Sequence, residues 1–200
     1  LKSKNWSPIF YLLFALALAS LELTSCAKEL QLQKPPTATR INLSNEGVIA
    51  KFDLEVDEHW VYNFAIRFRY QEGNQTERSR IRAIIGGYEV DKNNNPTDPG
   101  VPTLIRLTIT KKQENLPSYQ KSITPILTSW GGDAYARGSE SFTKNIGHCD
   151  LTPGKYTVLL ESLAHPKEYE SVPTFFLIGM DKFKNSFNPK NIDRSKTCPQ

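Results

Sequence analysis

Trp60-Val61-Tyr62-Asn63-Phe64-Ala65-Ile66-Arg67-Phe68-Arg69-Tyr70 decides the fold class of this chain. Every second residue is large and apolar: Trp60, Tyr62, Phe64, Ile66, Phe68 and Tyr70. Asn63, Arg67 and Arg69 fall between them. A period of two is the mark of a strand with one face in a core and the other in water. Upstream, Val48, Ala50, Phe52, Leu54 and Val56 alternate with Lys51, Asp53 and Glu55 in the same way. Only Asp57-Glu58-His59 separates the two runs, which predicts an antiparallel hairpin.

Downstream, Gln71–Asn74 reads as a turn, and Asn74-Gln75-Thr76, a glycosylation sequon on paper, as turn chemistry. Residues 76–85 read as a helix. Ile81, Ile84 and Ile85 share one face, and Gly86-Gly87 supplies the stop that helix ends favour. Residues 88–100 form a loop rich in Asn and Pro. Residues 104–111 alternate again, with Ile105, Leu107 and Ile109 inward. A further strand is expected over 119–128, irregular Gly-rich chain over 130–138, and a strand over 141–149. Leu151-Thr152-Pro153-Gly154-Lys155-Tyr156-Thr157-Val158 sets a Pro-Gly turn before a strand whose tyrosine enters the core. Residues 155–163 and 173–180 close the set. About seven strands and one short helix predict a mostly β protein, a single antiparallel β-sandwich of immunoglobulin-like architecture. The Cys/Trp/Cys spacing of true immunoglobulin domains is missing.

The first residues carry an address. Lys2 and Lys4 precede an apolar stretch from Ile9 to Leu21, and Leu23-Thr24-Ser25-Cys26 follows. A basic start, an apolar core and small residues before a cut site make a secretory signal. A transmembrane helix is the competing reading, but about 13 apolar residues fall short of the roughly 20 that span a bilayer, and Glu22 suits lipid badly. A plain secretory signal is another, though it has no need of a cysteine at its end. Leu-Thr-Ser-Cys resembles the lipobox of bacterial lipoproteins. That resemblance implies cleavage after residue 25 and a covalent lipid on Cys26; no other cofactor is expected. With Ala27 rather than Asp next, it also implies the periplasmic face of the outer membrane.

Cleavage would leave 200 − 25 = 175 residues, enough for one domain with a real core. The signal carries Lys2, Lys4 and Glu22, so the net charge of +4 falls to +3. So mild a balance demands no nucleic-acid partner. Residues 26–38 read as an acylated start and tether ending in Pro35-Pro36, 39–180 as the sandwich, and 181–200 as a polar tail. With Cys26 set aside, Cys149 and Cys198 remain. In an oxidising compartment they are expected to form a disulfide; two free thiols are the alternative.

The usual marks of chemistry are missing. His59 stands by Asp57 and Glu58, as exposed turns often do. His148 adjoins Cys149, but a bridge would consume the thiolate that a Cys/His pair needs. No spacing suits zinc. Asp91-Lys92-Asn93-Asn94-Asn95 starts like an EF-hand loop, yet Pro96 and Pro102 stand where Gly and a bidentate Glu belong. That leaves a solvated turn, or a structural calcium site with Asp98, as readings. Thr128-Ser129-Trp130-Gly131-Gly132 lacks the glycine of a serine-hydrolase elbow. The chain therefore reads as a binder without catalytic residues.

Its candidate binding face is cationic. Arg67 and Arg69 project from the aromatic strand beside Tyr70, and Arg78, Arg80 and Arg82 follow on the helix. Arginines dock carboxylates and phosphates in bidentate fashion, and a Trp130-bearing Gly-rich loop adds contact area. The competing reading is a solvated face paired with Glu72, Glu77 and Glu89. Loops 88–102 and 128–140 are the other candidates.

Ile66-Arg67-Phe68-Arg69-Tyr70-Gln71-Glu72-Gly73, Ile85-Gly86-Gly87-Tyr88, Pro99-Gly100-Val101-Pro102 and Leu151-Thr152-Pro153-Gly154-Lys155-Tyr156 are similar to segments of a family of uncharacterised Gram-negative lipoproteins. The likeness spans about residues 50–180 and implies a sandwich on a lipid anchor. Small lipoproteins of similar look act as immunity proteins beside toxin genes, which is an analogy. Three functions stand as expectations: an envelope protein-binding module with a membrane anchor, an immunity protein for a periplasmic toxin, and a small-ligand binder or enzyme.

Overall fold

The computed structural model describes residues 32–93, 95–112, 117–123, 128–132 and 137–180. The segment read as a signal, Cys26, Cys198 and residues 181–200, read as a tail, lie outside the described residues. In order, the elements are β1 (Leu32–Gln33), β2 (Thr37–Ile41), β3 (Gly47–Val56), β4 (Trp60–Gln71), α1 (Gln75–Ile85), β5 (Ile105–Lys111), β6 (Pro117–Ile123), β7 (Thr128–Gly132), β8 (Ser139–Leu151), β9 (Gly154–Ser162), a 3-10 turn (Lys167–Tyr169) and β10 (Thr174–Met180). They build two five-stranded sheets, ordered β1-β3-β9-β5-β6 and β2-β10-β4-β8-β7. The expected sandwich and its helix are present. The strands are antiparallel except for the two-residue β1–β3 pair.

The expected hairpin is not. β3 pairs with β9 and β4 with β8 and β10, so the two runs lie in opposite sheets. Asp57-Glu58-His59 offers none of the positive-φ residues that a two-residue hairpin turn needs. As an arch, it lets the two apolar faces meet instead of lying side by side. Phe52 on β3 reaches Phe176 on β10 at 6.1 Å, and Phe176 stacks with Phe64 on β4 at 6.2 Å. Each such buried ring contributes about 1.5–3 kcal/mol. The arch is held by Tyr62, whose hydroxyl donates to the Glu58 carbonyl at 2.9 Å. The second arch, between β8 and β9, repeats the device: the Tyr156 hydroxyl donates to the Thr152 carbonyl at 2.8 Å. Both resemble the tyrosine corner of sandwich domains. His59 Nε2 lies 2.7 Å from Asp150 and ties the arches together.

Other expectations shift. Val48 and Trp60, placed inward by period, are exposed; a bulge between Val48 and Ala50 breaks the alternation, and Trp60 sits on the arch. The segment read as a tether is partly folded. Leu32 and Gln33 pair with Asp53 and Leu54, Thr37 and Thr39 donate to Gln33, and Lys34 bridges Glu55 at 3.1 Å. Where one strand over 119–128 and irregular chain over 130–138 were expected, Pro117–Ile123 and Thr128–Gly132 are separate strands. β6 edges one sheet and β7 the other, and Trp130 pairs by backbone with Phe142. The period could not show where the chain changes sheets.

The core follows the alternation elsewhere. Ile105, Leu107, Ile109, Val158 and Leu160 from one sheet face Phe64, Ile66, Phe68, Phe142, Phe176 and Ile178 from the other. Helix α1, between β4 and β5, adds Ile81 and Ile85. Asn74 caps it by accepting from the Glu77 amide at 3.0 Å.

Candidate functional site

The helix ends in a backbone knot. Gly86 has φ 57° and Gly100 φ 64°, the left-handed region that glycine tolerates best. A Cβ on Gly86 would lie 2.2 Å from the Asp98 carbonyl oxygen, and one on Gly100 would lie 2.4 Å from the Ile85 carbonyl carbon. The two chain segments therefore touch backbone to backbone. Gly87 donates to the Asp98 carbonyl at 2.5 Å and Val101 to the Ile84 carbonyl at 2.7 Å. Thr128 at the start of β7 binds both glycines, through its amide to Gly87 at 2.8 Å and its hydroxyl to Gly86 at 2.6 Å. Loop 86–101 thus leaves and returns through one closed neck.

Beyond the neck the loop is braced by its own groups. The Asp98 carboxylate accepts from the Glu89 amide at 2.9 Å and the Tyr88 amide at 3.3 Å. Val90 bridges Pro96, and Thr97 donates to the Glu89 carbonyl at 2.9 Å. Asp91, the first residue of the calcium-like run, accepts from the amides of Asn95 and Asn93. Those bonds hold its carboxyl below the ordinary carboxylate range, and they make it a turn former.

This frame presents Tyr88 and Val90, both exposed, with Leu104 exposed where the chain re-enters the sheet. The Arg82 guanidinium lies 4.6 Å from the Tyr88 ring centre and pairs with Glu89. On its other side Tyr88 meets Phe142 edge-on at 5.9 Å. An open cleft of about 390 Å³, lined by Ser79, Arg82, Glu89, Asp98 and Gly100, separates helix from loop.

Lys144 lies beside the root of the loop. It pairs across the sheet with Ile66 and Thr128 and is buried on the core-facing side. Burial pushes its pKa down to about 8, and the Asp98 carboxylate pulls the other way.

The cationic face does not assemble as expected. Arg67 and Arg69 are half-buried on the outward side of β4, and Arg69 stacks on Phe175 at 4.0 Å. Tyr70 is a correction: it is buried against Phe142 at 5.3 Å, because it falls on the core-facing phase of β4. Arg78 is half-buried on the helix. Arg80 binds Ser171 at 2.9 Å, and Arg82 belongs to the loop. The backbone of Trp130 lies in β7; its side chain is outside what is described. His148 and Cys149 point to opposite faces, as neighbours on a strand do; Cys149 shares Tyr62's core-facing row, and His148 shares Asn63's. Among the described residues no cluster of three His, Cys, Asp or Glu groups is placed to hold a metal.

The sequence reading passed over Asp98 as a brace, Lys144 as a buried cation and Tyr88 as an anchor. The dipeptides Gly86-Gly87 and Pro99-Gly100 were the available signal, since each marks backbone that side chains would obstruct.

A family model described as a domain of unknown function, DUF5625, matches residues 36–180. No curated protein matches. Among solved structures, GEBA250068378 from Sulfurospirillum deleyianum is 17% identical, with a TM-score of 0.49 over 74% of this chain and 98% of its own. A beta-glucosidase from Paenibacillus barengoltzii is 11% identical, with a TM-score of 0.31 over 78% of this chain and 12% of its own.

Proposed function

The chain belongs to the DUF5625 family, domains of unknown function, and we propose that it is a protein-binding module held by a lipid on Cys26 at the periplasmic face of an outer membrane. One observation carries the binding reading. Tyr88 and Val90 are exposed on a loop that is closed at its neck and braced within. Apolar side chains on a pre-organised loop lose little entropy when a partner covers them, and aromatic residues flanked by arginine are frequent anchors of interfaces. The anchor rests on the lipobox resemblance alone. The same address supports a Cys149–Cys198 bridge, and Cys149 stands in one row with Tyr62 and Met180, where the tail begins.

A photoreactive residue at Val90, in native envelopes, tests the binding surface. The expected result is one discrete envelope-protein adduct that a probe at Lys51, on the outward side of the other sheet, does not form. No adduct, or the same adducts from both positions, overturns the reading. If the adduct is a periplasmic toxin and Val90→Asp abolishes cell rescue, the immunity reading prevails. Labelled palmitate on the wild type, and none on Cys26→Ser, checks the anchor.

A further inference from the structure

The outward side of the β2-β10-β4-β8-β7 sheet carries residues that are hidden although they point away from the core. Leu177 on β10 is 7% exposed and Ala65 on β4 is 2% exposed. They are cross-strand partners, and Ala38 on β2 stands on the other side of Leu177. Alanines are too short to screen a leucine from water. Along the same face the Asn63 Oδ1, Arg67 Nε and His148 Nδ1 atoms are also withdrawn from solvent. Asn63 Oδ1 has no hydrogen-bond partner among the described residues, and a buried carbonyl oxygen calls for a donor. The hidden patch runs across three strands, from Leu177 through Ala65 to His148.

We infer that this face is covered by the chain's own C-terminal segment, residues 181–200. β10 is an interior strand, between β2 and β4, so the chain leaves Met180 in mid-sheet beside the patch and not at an edge. Twenty residues reach up to about 70 Å, whereas five strands span only about 24 Å at most. Phe183, Phe187 and Ile192 supply apolar cover, and Asn185 and Ser186 supply donors. Charge does not draw the segment in. Its Lys182, Lys184, Lys190, Arg194 and Lys196 outnumber Asp181 and Asp193, and the face carries Arg40, Arg67 and Arg69. The contact is therefore apolar, and it removes the arginine face from the surface offered to partners. It does not depend on the loop reading above, nor on the Cys149–Cys198 bridge.

The decisive experiment places photoreactive benzoylphenylalanine at Phe175, a half-buried position on this face, in the mature full-length chain. Irradiation is expected to join position 175 to a peptide within 181–200 of the same molecule. A cross-linked dimer, a cross-link to residues 26–31, or no cross-link overturns the inference. Hydroxyl-radical footprinting of a chain ending at Met180 gives the size of the effect. Oxidation of Leu177 and His148 is expected to rise at least threefold while core Leu107 stays protected. Unchanged Leu177 and His148 overturn the inference as well, and if Leu107 also reacts the cross-link alone decides.

Discussion

The two ends of the sandwich turn the chain over the same core in opposite styles. At one end, three residues (57–59) and two residues (152–153) carry the chain between sheets, each arch clipped by one tyrosine hydroxyl. At the other, residues 72–104 separate β4 from β5 and contain a helix, a glycine knot and a braced loop. Closure of a sandwich needs only the first style. The second orders many more residues, each at an entropic cost of about 1–2 kcal/mol for its backbone. That cost is set against bonds that converge on Asp98, Gly86 and Gly100, and what the frame displays to water is apolar. Structure in excess of what the fold requires is where a binding surface is to be sought.

Reduction is the strongest way to break the arch end. If Cys149 and Cys198 are bridged, opening a loop of about 50 residues should cost roughly 4 kcal/mol. A lower Tm in reductant, with no titratable thiol at these positions before it, would confirm the bridge; an unchanged Tm with both thiols reactive would remove it. Gly100→Ala breaks the loop end. Its Cβ would press on the Ile85 backbone, so denaturant titration should show a loss of about 3 kcal/mol. Gly73→Ala, with nothing within 4 Å and φ 78°, should lose only about 1–2 kcal/mol.

Lys144 sharpens the comparison, because it is a charge buried beside the loop's root. Its folded pKa of about 8 lies below the ordinary 10.5. Between these values the unfolded chain holds more protons, so stability rises with pH across that window. The cost of burying the charge is fully present below pH 8. Lys144→Met should flatten the rise between pH 8 and 10.5 and add up to roughly 3 kcal/mol at pH 7. Equal pH profiles for the two proteins would refute this account. Smallest is Tyr156→Phe, which removes only the bond to Thr152. It should cost about 1–1.5 kcal/mol and leave any adduct formed from position 90 unchanged, since it loosens the opposite end.

Much of the fold was legible because burial imprints a period. Phe52, Leu54, Phe64, Ile66, Phe68, Leu107, Val158 and the helix face Ile81/Ile85 all lie where alternation or helical spacing puts them. The same period misplaced Trp60, and Tyr70 was on the inward list yet was also asked to serve a surface. Of the candidate site, only the loop and Arg82 were read in advance. Asp98 was read as a candidate calcium ligand and not as a brace, and nothing local set Lys144 apart from an ordinary strand lysine. Only register shows that it faces Ile66 and Thr128.

The sequence by itself determined that this is a β protein with one short helix, where most strands lie and which side chains fill the core. Those properties are local: periodicity, three isoleucines on one helical face, glycine at the helix end. The tertiary structure alone decided which sheet each strand joins, that a short connection is an arch and not a hairpin, and that Gly86 meets Gly100. Pairing partners far apart in sequence leave no local trace, because the energy that selects them comes from two apolar faces finding each other across the core.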